Sequence, residues 1–135
     1  MEIKKIINSK FLLIIIFILV LILIGENLFL RFQKKMDVLS LSYLASEHLK
    51  KSNYDYVIIY ANQAIGIDPE FFYPYMLLGF AYRNLGKDEL AISTFKKALE
   101  LMGKKSKTYN FFSKESLEYD SQNLREILEE LERSK

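Results

Sequence analysis

FYPYMLLGFAYRNLGKDELAISTFKKALELMGKK, residues 72–105, sets apolar side chains at steps of three and four on both sides of a short break. Tyr75, Leu78, Gly79, Tyr82 and Leu85 precede the break, and Ala91, Phe95 and Ala98 follow it on one face. Such stripes mark helices buried along one side. Pro74 suits a first helical turn, where no amide donor is missed. Gly86 can end the first helix in a left-handed conformation. Asp88 and Glu89 place negative charge at the start of the second helix, where the helix dipole favours it. Gly79, Ala91 and Ala98 lack bulk, so the two helices can approach closely.

The order aromatic, Leu, Gly, Tyr, then Gly, Ala, Phe, Ala resembles one unit of the tetratricopeptide repeat (TPR) family. Gly103 stands where the family has a final Pro. One period of 34 residues upstream, residues 38–71 carry a weaker copy, and a fixed period of this size marks stacked helical hairpins. Leu41, Leu44 and Ala45 correspond to Tyr75, Leu78 and Gly79, while Tyr54, Ala64 and Pro69 also fit the pattern. The copy departs at His48 for an aromatic, Ser52 for Gly, Val57 for Ala and Ala61 for the bulky position of Phe95. Its helices are expected near 38–51 and 54–67, with Asn53 available to cap the second. The β-branched run at 56–60 (YVIIY) suits a strand, but the register and the following ANQAI place it in a helix.

Towards the amino terminus, residues 11–24 read FLLIIIFILVLILI, with no polar side chain. Residues 6–25 would extend about 30 Å as a helix, the thickness of a bilayer core. No chain of this size could cover such a surface on all sides, so a membrane-inserted segment is expected. Lys4, Lys5 and Lys10 form a basic leader of the kind that precedes signal peptides. The following GENLFLRF offers no small-x-small cleavage site, which favours an uncleaved anchor; a cleaved signal and a secreted domain is the alternative. The same lysines favour a cytoplasmic amino terminus, against Arg31, Lys34 and Lys35 on the other flank, and put the remaining domain on the extracytoplasmic side. Residues 26–37 form a juxtamembrane stretch that can continue the helix.

Beyond residue 105 the pattern thins. Tyr109, Phe112, Ser116 and Leu117 could open a third unit, but the later Gly and Ala are missing. Leu124, Ile127, Leu128 and Leu131 instead form a narrow apolar stripe, expected as one helix near 121–133 that caps the array. The expected fold is therefore all-α. It comprises a basic tail (1–5), a transmembrane helix or signal anchor (6–25), a juxtamembrane segment (26–37), a degenerate repeat (38–71), a repeat (72–105) and a capping region (106–135).

Composition narrows function by exclusion. The 135 residues carry a formal charge of +2 and no cysteine, so disulfides and thiolate metal sites are ruled out. Lys outnumbers Arg and Ile is abundant, a composition that suits an AT-rich bacterial genome. The lone histidine, His48, occupies a packing position of the repeat. No catalytic constellation, metal-ligand cluster or phosphate loop is present, so neither an enzyme nor a cofactor is expected. Glu126, Glu129, Glu130 and Glu132 read as a solvated helix face. Lys96, Lys97, Lys104, Lys105 and Lys107 do not share one face or interleave with aromatics, so nucleic acid is not an expected partner.

The resemblance implies a binding surface, because the first helix of each TPR unit lines a concave groove. In the strong copy those positions are Tyr73, Met76, Phe80, Arg83 and Asn84; in the weak copy they are Leu39, Ser42, Ser46, Leu49 and Lys50. Tyr73, Met76 and Phe80 form an apolar line suited to a helix or extended peptide, unless the carboxy-terminal or juxtamembrane residues fill it. Ser42 and Ser46 replace the Lys and Asn of the clamp by which some TPR domains hold a carboxylate tail, so that mode is not expected. The expected function is a membrane-anchored interaction module at a bacterial envelope, with another protein in the groove and the bilayer around residues 6–25. A self-associating structural membrane component, a homo-oligomer, is the competing reading.

Overall fold

A computed structural model describes residues 2–104 and 112–134, except for the side chains of residues 2–10 and 114. The described residues are helical: α1 (Glu2–Lys50), α2 (Tyr54–Ile67), α3 (Phe72–Asn84), α4 (Asp88–Gly103) and α5 (Lys114–Arg133). Two compact units divide the chain, residues 1–36 and residues 37–135.

In the first unit, every side chain from Phe11 to Ile24 is exposed, between 39 and 64 %. An 18-residue window there has mean hydropathy 2.9, so this helix is long and apolar enough to cross a membrane. Asn27 follows the run and donates its amide to the Leu23 carbonyl at 2.8 Å, which satisfies a polar group within the helix itself.

In the second unit the turns inside the two hairpins fall one 34-residue period apart to the residue. Residues 54–67 form α2 and residue 88 opens α4, one period later; α1 ends at Lys50 and α3 at Asn84. The turns share their hydrogen bonds too. Asn53 N–H donates to the His48 carbonyl and Lys87 N–H to Tyr82, both at 2.9 Å. Val57 donates to Asn53 at 3.2 Å and Ala91 to Lys87 at 3.0 Å. Both turns need a residue at positive φ: Gly86 at 68° and Ser52 at 58°. The left-handed region costs an L side chain about 1–2 kcal/mol, so the weak copy keeps the turn under strain. Asn53 occupies the N-cap position of α2 without a side-chain hydrogen bond, contrary to the expected cap.

The core lies between successive helices. Val57, Ala61 and Ala64 of α2 meet Val38 and Ala45 of α1. Leu77, Leu78 and Ala81 carry α3 onto α2, in one cluster with Val57 and Ala61. Helices α3 and α4 meet where Gly79 faces Phe95, and a Cβ added to Gly79 would lie 2.5 Å from the ring. Phe95 is fully buried and has the Phe80 ring edge-on at 5.1 Å. The α5 helix begins seven residues earlier than expected, because Ser113 caps it by accepting from Ser116 N–H at 3.0 Å. Leu124, Leu128 and Leu131 then bury against Ala91, Ile92, Phe95 and Ala98 of α4. Tyr109, Lys105 and Lys107 lie outside the described residues.

Gly79→Ala gains helix propensity but drives its methyl into a ring that cannot retreat. A net loss of about 1–2 kcal/mol is expected, read by denaturant unfolding, with partial recovery in Gly79→Ala/Phe95→Leu. Ser52→Gly removes the left-handed strain and is expected to raise stability by about 0.5–1 kcal/mol in the same assay.

Candidate functional site

The five groove positions of the strong copy occupy one side of α3, and Phe112 and α5 contact part of that line. Tyr73 opens the line, half-buried, with the Phe112 ring 5.9 Å away. Phe112 also lies 5.1 Å from Phe72 and 6.3 Å from Phe71, so this one ring packs at the start of α3. Met76 and Phe80 pack half-buried against the cluster that α4 and α5 form. Arg83 donates to Glu130 of α5 at 2.9 Å. Asn84 remains exposed and donates its amide to the Phe80 carbonyl at 2.8 Å. Four of the five residues therefore already have contacts outside their own helix.

The weak copy offers less. Ser42 is 2 % exposed, and its hydroxyl donates to the Val38 carbonyl at 2.7 Å. This short side chain satisfies itself on the preceding turn of α1 and is buried there, so it presents nothing to a ligand. Leu39 and Leu49 pack against the core clusters, and Lys50 pairs with Glu47 at 2.8 Å. That pairing raises the pKa of Lys50. Ser46 is half-buried.

Charges outside the line pair locally, and one pair ties α4 to α5. Glu132 of α5 pairs with Lys96 of α4 at 2.7 Å, and Glu129 lies 3.7 Å from Arg133. The acidic face of α5 is thus partly engaged in ion pairs, where the sequence suggests only solvated charge. Lys97 and Lys104 both bond Glu100, which holds its carboxyl down at about 2. Tyr75 donates its hydroxyl to the Pro69 carbonyl at 3.1 Å, and burial raises its pKa. His48 stacks on Tyr56 and Tyr60, with ring centroids at 4.8 and 5.5 Å. Its Nδ1 is buried and has no hydrogen-bond partner among the described residues. No group of three or more His, Asp or Glu side chains that could hold a metal ion occurs among the described residues.

The repeat geometry has a counterpart among known families. Residues 73–102 match the tetratricopeptide repeat. The chain is also 41 % identical over 59 residues to the small glutamine-rich tetratricopeptide repeat-containing protein 2 of Saccharomyces cerevisiae. That alignment covers 44 % of this chain and 17 % of the yeast protein, so the likeness is confined to a small part of the relative. A tetratricopeptide repeat points to a protein–protein interaction module.

Sequence reasoning placed the line on α3 and left open whether the chain's own carboxy terminus covers it. It missed Phe112 as an anchor and Glu130 as the partner of Arg83. The only available signal was an aromatic just ahead of the Ser113 cap and an acidic residue on α5. Leu124 is 1 % exposed, so Leu124→Ala is expected to cost about 2–4 kcal/mol. Amide hydrogen exchange should then quicken in α5 and leave α2 unchanged.

Proposed function

We propose that the chain is a membrane-anchored interaction module. Residues 11–24 hold it in a bacterial cytoplasmic membrane, and the α3 line takes a segment of another protein on the extracytoplasmic side. The observation that carries this reading is the presence in one chain of an exposed apolar helical run and a hairpin that matches an interaction repeat. Lipid is the solvent that such a run requires, and the basic leader supports the orientation. Binding is the whole mechanism, with no bond made or broken.

The ion pair at Arg83 supports an acidic group on the groove ligand. Both partners are substantially exposed, with side-chain exposures of 35 and 67 %, and exposed pairs contribute at most about 1 kcal/mol. An acidic group on an apolar peptide can therefore displace Glu130 and take Arg83, while its apolar side chains lie along Met76 and Phe80. The second reading, a self-associating membrane component, is supported by an array of two hairpins, fewer than the three usual for independent burial.

A photocrosslinking side chain at Asn84, the exposed end of the line, tests the proposal in intact cells. A control probe replaces exposed Ser93 of α4. The expected outcome is a membrane-associated product with another protein from position 84 and none from position 93. Equal products from both sites, or none from position 84, would overturn the groove reading.

A further inference from the structure

We infer that the outer face of α1 around Tyr43 and Leu44 is the surface through which two copies of this chain pair. The 34-residue register shows what that face is built to do. Leu77, Leu78 and Ala81 bury α3 against α2, and one period earlier the same positions hold Tyr43, Leu44 and Glu47 of α1. Leu77 and Leu78 are 3 and 6 % exposed, whereas Tyr43 and Leu44 are 64 and 40 % exposed. Val38, Ser42 and Ala45, on the other side of α1, are buried. The stacking face of the first hairpin is thus present and uncovered among the described residues.

Its occupant follows from the chain's other surfaces. Packing between α2 and α3, α3 and α4, and α4 and α5 uses the apolar stripes of those helices. Beyond the first hairpin, the described residues of this unit expose Leu85 in the α3–α4 turn, Leu90 on α4 and Tyr119 on α5, each singly on its element. Helix α5 turns Glu115, Glu118, Glu126 and Glu129 outward. The exposed apolar side chains of residues 37–134 concentrate in the first hairpin, as Tyr43, Leu44, Tyr56 and Ile59. Within residues 37–134, the apolar surface that a second copy brings is therefore mainly this same one. Contact between identical patches is isologous and closes about a two-fold axis.

Charge agrees with that geometry. Glu47 and Lys50 lie beside the apolar pair, one turn apart and 2.8 Å from each other. The rim therefore carries both signs, and across a two-fold axis each carboxylate can meet a lysine of the other copy. Joining two copies here places four hairpins in one stack, above the three that burial usually requires. The surface is separate from the α3 line, so the groove reading and this one fail independently.

The chain has no cysteine, so a single introduced thiol reports a single position. Leu44→Cys and Tyr119→Cys are made in the full chain and oxidised in the cell. A disulfide-linked product of twice the 15.9 kDa chain mass is expected from position 44, well in excess of position 119. Full-length Leu44→Glu in detergent should retain the helical circular dichroism of the parent. Its dimer should weaken at least about 100-fold in concentration-dependent mass, because like charges then meet at the axis. No dimer excess at position 44, a product of another mass there, or unchanged dimerisation of Leu44→Glu would each overturn the inference.

Discussion

The contact between Gly79 and Phe95 is the constraint on which the second hairpin depends. Only a residue without a Cβ leaves room for a ring so close to the α3 backbone. The ring in turn supports Phe80 and forms part of the cluster that receives α5. One small residue thereby fixes the spacing of α3 and α4, the footing of the groove line and the seat of the last helix. The first hairpin solves the same problem with the sizes redistributed. Ala45 faces Ala61 and Val57, all fully buried, so three moderate side chains replace the glycine–aromatic pair.

The two hairpins are equivalent in backbone and different in what they present. Their turns share the same hydrogen bonds although one uses Gly86 and the other Ser52 at positive φ. Backbone geometry is dictated by the register and tolerates a strained serine, because the neighbouring contacts hold it in place. Side-chain presentation follows burial instead. At equivalent groove positions Met76 lies half-exposed along the line and Ser42 is buried. A repeat pattern therefore transmits fold more faithfully than it transmits a binding surface.

That distinction explains how far the sequence could be read. The entry of α4 and the left-handed Gly86 were legible because each depends on residues within one turn of helix. Helix α2 was legible from the 34-residue register against its local strand preference. The burial of α5 was legible from the spacing of Leu124, Leu128 and Leu131, but its start was not, since Ser113 lies ahead of the apolar stripe. The Phe71–Phe72–Phe112 contact and the Arg83–Glu130 pair join residues about forty positions apart. No periodicity encodes such pairings, which arise only once α5 is docked. Asn53 shows the reverse case, a residue of the right type in the right place whose side chain makes no cap.

The two ends of residues 37–134 are chemically unlike. At the carboxy-terminal end α5 spends its apolar stripe on α4 and presents carboxylates, with Lys96 and Arg83 fastening its glutamates from beneath. At the amino-terminal end α1 presents tyrosine and leucine. A stack with adhesive surfaces at both ends would propagate head to tail into a fibre. One polar terminus removes that route, so the acidic face of α5 acts as a chain terminator for any stack that pairs through its amino-terminal end.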